Sequence, residues 1–446
     1  MNTLMFIGGV LVMVVAIAAS IALHEVGHLL PAKKFGLRVP QYMIGFGKTL
    51  FSVKRGETEY GLKAIPLGGY VSMVGMYPPR AQAVAGKKPG LMTRAFGQLI
   101  DDARSQANEQ VVDTDAGRMF YQLPIHKRII IMLGGPLVNL VIGFVMIAIV
   151  VMGFGISTAT TTVSEVYQCM ATAQNADEAQ CGANDRSAPA YAAGLRPGDT
   201  ITSVNGQPVA HDEWYELTGV IREHPGQSIA LEYERDGTSH STTLTPYLTE
   251  RPQLDPNGYP VSGDDGKMLT EQVGFVGMSS SVQNLPQPLS AVPAVVGNQL
   301  TQIGNVILHL PQRLVDVAQA AFGTEERDPN GPVSVVGVGR IAGEINASEQ
   351  LGLQDKVASL ISLIGGLNLA LFAFNLIPLL PLDGGHVAGA LFEGLKRFFA
   401  RLRGQKDVAP VDTLKLLPLT YVVVVGMMIM GGLLIYADIF KPIQIF

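Results

Sequence analysis

Residues 1–28 read MNTLMFIGGVLVMVVAIAASIALHEVGH, a run of 23 uncharged residues that ends in His24-Glu25-Val26-Gly27-His28. Three further runs, 129–157, 357–382 and 416–437, also carry no charge. Each is long enough to cross a hydrocarbon core of about 30 Å, which takes roughly 20 residues of helix. The pattern predicts an α-helical polytopic membrane protein with four transmembrane helices, at 1–30, 129–153, 355–388 and 416–437. The first run has no basic start and leads into His24 and Glu25 rather than a small-residue cleavage site, so it reads as a retained span and not a removable signal.

Charge supports this class and gives an orientation. Only 15% of the 446 residues are charged, against roughly 25% in soluble domains, and the apolar content excludes disorder for most of the length. The net charge of -5 leaves no basic excess to neutralise phosphates, so no nucleic acid is expected as partner. Residues 24–128 hold 15 Lys+Arg against 8 Asp+Glu, and 156–354 hold 9 against 23. Basic flanks stay cytoplasmic. Lys33, Lys34, Arg38, Lys127 and Arg128, and then Lys396, Arg397, Arg401, Arg403 and Lys406 between the last two spans, therefore mark the inner side. The N-terminus, the loop between spans two and three and the C-terminus fall outside the cytoplasm. In that compartment Cys169 and Cys181 are expected to join, closing a loop worth about 3 kcal/mol in the chain-entropy model.

On a helix His24 and His28, four apart, share a face and can both reach one Zn²⁺, with Glu25 between them as a general base. Two imidazoles and a carboxylate at membrane depth are costly unless paired or metal-bound. A catalytic zinc needs a third protein ligand and an open position. Span three ends in NLIPLLPLDGGH, residues 375–386, where Pro378 and Pro381 break the helix. Asp383 and His386 are both candidate ligands, and zinc accepts either. The orientation brings this end to the depth of His24 and His28. GGPLVN at 134–139 falls there too, with small residues for close helix approach and Asn139 as a buried amide.

HEVGH at 24–28, GGPLVN at 134–139 and NLIPLLPLDGGH at 375–386, in that order and on these spans, resemble the site-2 proteases, zinc metalloproteases that cut peptide bonds within the membrane. The resemblance implies one catalytic Zn²⁺ held by His24, His28 and Asp383, with Glu25 as catalytic base and acid. Asn375 would hold the substrate backbone, and His386 would be supporting. It also implies that the β-branched stretch 49–73, with turn signals at 54–57 and at Pro66 and Gly68-Gly69, is a membrane-associated β-hairpin. Within the region 31–128 this hairpin would lie beside the zinc and pair an edge strand with an unwound substrate. Asn139, Gly68 and Gly69 are accordingly candidate substrate-binding residues.

In the outer loop, Ala188 to Val209 resembles the core signature of PDZ domains, with a Pro-Gly-Asp turn, a strand and an Asn-Gly turn. A helix at 214–222 and a strand at 228–233 follow. An extracytoplasmic PDZ domain (α+β) at 160–248 is expected, serving as a peptide or substrate receptor or as a steric filter. Relatives that cleave anti-sigma factors carry two tandem PDZ domains. This chain shows one such signature, and 249–354 offers a strand at 273–278 and an amphipathic helix at 299–321. Residues 389–415 read as a cytoplasmic basic loop.

The implied activity is regulated intramembrane proteolysis of single-span, anti-sigma-factor-like membrane proteins after a first extracytoplasmic cut, with membrane lipid as the medium. The alternatives are a catalytically inactive membrane-anchored PDZ scaffold and a metal transporter.

Overall fold

The computed structural model describes residues 2–79, 91–108, 111–112, 115–170, 181, 185–254, 261, 268–323, 327–328, 331–405 and 409–443. The chain divides into two units, Met1–Gly153 with Pro288–Phe446, and Phe154–Gln287.

In the first unit, helix α1 (Asn2–Lys34) leads into a β-hairpin, β1 (Gln41–Arg55) and β2 (Thr58–Ser72), then α2 (Leu91–Asn108) and α3 (Ile125–Ile149). Four helices are long and apolar enough to cross a membrane: α1, α3, and two near the C-terminus. The hairpin turns at Gly56, where φ is +62°, between the expected strands. The second turn signal acts differently, because Gly68, at φ +108°, bends β2 rather than ending it. Residues 41–44 consequently sit between two runs of β2, 59–62 on one side and 69–72 on the other. Tyr42 ties the sheet to α1 through a hydrogen bond from its hydroxyl to the Ala22 carbonyl, 2.8 Å.

Helices α1 and α3 meet backbone to backbone. A methyl group on Gly27 would collide with the Gly134 carbonyl, and one on Gly134 with the Gly27 carbonyl. This is the close approach that small residues permit between apolar helices, where packing rather than water exclusion drives association. Leu29, Ala32, Ile131 and Met132 extend the contact, and Leu37, Tyr42, Val74 and Phe120 continue it under the hairpin.

In the second unit, strand β3 (Ile156–Val166) is followed by α4 (Pro189–Ala192), β4 (Thr200–Val204), β5 (Gln207–Pro208), α5 (Trp214–Glu223), β6 (Ile229–Arg235), β7 (Thr238–Leu244), β8 (Tyr247–Pro252), β9 (Thr270–Phe275) and β10 (Met278–Leu285). The main sheet runs β10-β3-β4-β6-β7, with β5 beside β4, and β8 pairs β9 separately. Its core holds Ile201, Leu217, Ile229 and Leu231 with Trp214. The expected helix and strand stand at Trp214–Glu223 and Ile229–Arg235. Asn205 and Gly206, both at positive φ, make the expected turn. Asp199 holds the Pro-Gly-Asp turn by accepting from the Arg196 amide and the Arg235 guanidinium, each at 2.7 Å. Cys169 and Cys181 are joined in a disulfide. The single strand expected at 273–278 divides, because Gly277 takes φ +80° between β9 and β10.

Back in the first unit, α6 (Val292–Leu308) and α7 (Leu310–Phe322) replace the single amphipathic helix expected at 299–321. Pro311 sits in the first turn of α7, where its missing N–H costs nothing, and so starts a new helix instead of continuing the old one. Helix α8 (Val335–Ala347), capped by Ser334, packs on α1 through Val338 and Ala342 against Met13 and Ile17. Helix α9 (Leu353–Asn375) is the third apolar helix. It stops at Asn375, short of the boundary at 388 expected for the span. A new helix, α10 (Asp383–Leu402), then occupies much of the segment read as a loop, 389–415. The basic residues that suggest a loop there sit on a helix with an apolar period. Helix α11 (Leu417–Phe440) is the fourth apolar helix.

Candidate metal centre

The last third of α1 presents His24, Glu25 and His28. The crossing at Gly27 and Gly134 presses this face onto α3. His28 Nδ1 donates to the Ile131 carbonyl, 2.7 Å away. That contact fixes the ring tautomer and leaves the Nε2 lone pair directed elsewhere. Asn139 Nδ2 stands 3.1 Å from His24 Nδ1, while Asn139 Oδ1 is buried with no partner among the described residues. A half-turn of the amide, chemically equivalent in shape, lets Oδ1 accept the Nδ1 proton of His24 and leaves Nε2 of that ring bare as well.

Asp383 arrives from the far end of the chain. Residues 376–382 fold back on the first turn of α10, with Leu382 N–H donating to the Leu379 carbonyl at 2.9 Å and Gly385 N–H to the Leu382 carbonyl at 3.0 Å. Gly384 and Gly385 make this possible, since a methyl on Gly385 would lie 2.6 Å from the Leu380 nitrogen. The carboxylate of the first helical residue is thereby held at the imidazoles.

The three donor atoms form a nearly equilateral triangle. His24 Nε2 and His28 Nε2 are 3.2 Å apart, and Asp383 Oδ2 lies 3.2 Å from the first and 3.3 Å from the second. Ligands at about 2.0–2.1 Å on a zinc tetrahedron would be about 3.3 Å apart. With both Nδ1 protons engaged on α3, three lone pairs face one another, and Asp383 Oδ2 is buried without a directed donor. A cation satisfies all three, so the residues present fit zinc. His386 is outside the donor cluster, which consists of His24, His28 and Asp383. Of the two candidates at 383 and 386, the structure places Asp383 within reach of both imidazoles.

The remaining expected residues are placed as follows. Glu25 receives the Val71 backbone amide of β2, and a methyl on Gly69 would lie 3.1 Å from Glu25 Cγ. Gly69 therefore lines the carboxylate, and Gly68 supplies the bend before it. Asn375, the last residue of α9, donates to the Leu371 carbonyl of its own helix at 3.0 Å. Sequence reasoning missed the Ile131 carbonyl and the Val71 amide, since backbone groups leave no trace in residue type. It also missed a buried ion pair behind the centre. Glu393 on α10 is fully buried, accepts from Arg128 of α3 at 2.7 and 3.1 Å and pairs with Arg397. An acid placed just before Lys396 and Arg397, on what a helical period makes the side opposite the apolar stripe, was the available signal.

The family model described as Peptidase family M50 matches residues 12–419. Among curated relatives, the zinc metalloprotease Rip1 of Mycobacterium tuberculosis is 33% identical over 451 residues, covering 99% of this chain and all of its own length. The zinc metalloprotease RasP of Shouchella clausii is 26% identical, with 89% and 91% covered. The metalloprotease MmpA of Caulobacter vibrioides is 25% identical, with 87% and 88% covered.

Proposed function

The chain belongs to peptidase family M50, and from that premise we propose that His24, His28 and Asp383 hold the zinc of an intramembrane metalloprotease in which Glu25 is the catalytic base and acid. The near-equilateral triangle of bare donor atoms carries this reading. When bound, zinc supplies Lewis acidity at the scissile carbonyl and favours ionisation of water. Glu25 takes the proton from the attacking water and delivers it to the leaving amine. Asn139 and the Ile131 carbonyl hold the two rings in the ligating tautomer. The edge run 69–72 of the hairpin, beside Glu25, supports the view that an unwound substrate segment adds to this sheet as a strand. Gly68 and Gly69 then leave room for its backbone. Asn375 is proposed to help hold that backbone.

Substrates are membrane proteins. The finer reading is a single-span, anti-sigma-factor-like protein already trimmed on its outer side. The site would lie near the cytoplasmic face, since Lys33, Lys34, Lys127 and Arg128 flank it in sequence. The unit Phe154–Gln287 is proposed to be the extracytoplasmic PDZ-like domain, with β10 as an edge strand of its main sheet able to receive an extended chain.

The test is incubation of purified wild type and Glu25→Gln with single-span substrates in detergent, with and without a chelator, alongside metal analysis. Cleavage is expected only from the metal-loaded wild type, with zinc retained by the variant. Cleavage that persisted in Glu25→Gln or in chelator would overturn the enzyme reading. Metal flux in proteoliposomes that survived Glu25→Gln would favour a transporter, and unimpaired function without metal would favour a scaffold.

A further inference from the structure

The C-terminal half of α10 carries a face that no part of the described protein covers. Leu391, Phe392, Leu395, Phe398, Phe399 and Leu402 are all between about half and two-thirds exposed. At about 100° per residue they form one stripe roughly 120° wide. The opposite face is spent on the protein: Glu393 and Ala400 are buried there, and Glu393 is tied to α3 by Arg128. The stripe therefore cannot turn inward.

Cations border it on both sides. Lys396 and Arg403 project along one margin and Arg401 along the other, all three exposed. Among the described residues none of the three has a carboxylate partner, and the described acids nearby are already neutralised. Glu393 holds Arg128 and Arg397, and Asp412 holds Arg104 at 2.7 Å. A shallow hollow of about 510 Å³ lies along the first margin, with Phe392, Leu395 and Phe399 as its apolar wall and Lys396 and Arg403 among its polar lining. Lys396 Nζ is held there through the Ala409 carbonyl at 3.4 Å.

We propose that this half of α10 lies in the membrane interface and that the hollow binds an anionic phospholipid, with its phosphate between Lys396 and Arg403 and its acyl chain along the phenylalanines. An apolar helix stripe bordered by cations buries itself at the headgroup boundary, and basic residues near an anionic surface strengthen that attachment. The inference uses the membrane placement of the four apolar helices and none of the zinc chemistry, so each reading can fail without the other.

The experiment is amide hydrogen exchange on the full chain in nanodiscs of phosphatidylcholine alone or mixed with phosphatidylglycerol. Exchange over 391–402 should be several-fold slower in the mixed discs for wild type, and equal in both discs for Lys396→Glu/Arg401→Glu/Arg403→Glu. These side chains are exposed, and unchanged exchange of α3 would report an intact fold. Arg403→Glu alone serves if the triple variant does not assemble, with a smaller loss of the lipid effect expected. Equal wild-type exchange in both discs would overturn the proposal, as would lipid-dependent slowing that survived the triple variant. Slowing by glycerol phosphate in phosphatidylcholine discs would do so too, by assigning the site to a free phosphate. Protection that rose with protein concentration in both compositions would assign the face to a second copy.

Discussion

Asn139 on α3 faces the Nδ1 side of the His24 ring on α1, at 3.1 Å, while His28 is held in the same way eight residues earlier on α3, by Ile131. One helix carries the imidazoles and another sets their tautomers. Asn139→Ala should therefore weaken zinc binding by about 10–100-fold, the usual cost of removing a residue that orients a metal ligand. Competition against a chromophoric chelator measures this. Asn139→Asp should recover most of the affinity, because a carboxylate also accepts the Nδ1 proton.

Gly135→Ala should abolish metal binding at a modest cost in folding. Its methyl group would strike His28 Nε2 and lie 2.8 Å from His24 Cε1, so the donor triangle must open. Metal content after purification, compared with thermal stability, separates the two effects. A variant that kept full zinc would contradict the packing described for α1 and α3.

Glu393→Ala should destabilise the protein by about 3–5 kcal/mol, the cost of leaving a buried charge unpaired, here that of Arg128. Replacing both with methionine should restore much of the loss, since an apolar pair of similar volume is often neutral or better. Urea or thermal unfolding in a fixed detergent reads the difference. Because α10 begins at Asp383, Glu393→Ala should also lower zinc affinity.

Acid should loosen the segment after α1 before it disturbs the zinc-free helix bundle. Asp115 is fully buried and accepts from Arg38 at 2.6 and 2.8 Å. That guanidinium, together with the Val112 amide, holds its carboxyl below the ordinary carboxylate value. A depressed folded pKa contributes stability that is fully present above the unfolded value, about 3.9, and is lost as pH falls through the folded value. Stability attributable to this pair should thus be flat from pH 5 to 8 and decline below about pH 4. Asp115→Asn should be less stable at neutral pH and lack that decline, as thermal unfolding across pH would show.

How much was legible depended on whether a signal lay in residue type or in backbone. Uncharged length revealed α1, α3, α9 and α11, because a hydrocarbon core tolerates little else. His24, His28 and Asp383, singled out because few structural roles explain ionisable groups at membrane depth, are brought within reach of one ion, and Glu25 lies against Gly69 of β2. His386 is separated from the cluster of His24, His28 and Asp383 only in three dimensions. Helix α8 was not among the expected elements, and its glycines at 337, 339 and 343 make sense only against α1 and Asp438. Helix α10 is masked by its basic residues, whose charge dominates the segment while its apolar stripe stays exposed.

The glycine crossing of α1 and α3 also bears on engineering. With two main chains in contact and no side chain between them, there is nothing at that point to repack, so any library position placed at Gly27 or Gly134 would move both imidazoles at once. On the proposed reading, diversity aimed at new substrates belongs instead at residues 70–72 of the hairpin, while Gly69, where a methyl would lie 3.1 Å from Glu25 Cγ, and the crossing stay as a fixed frame of reference.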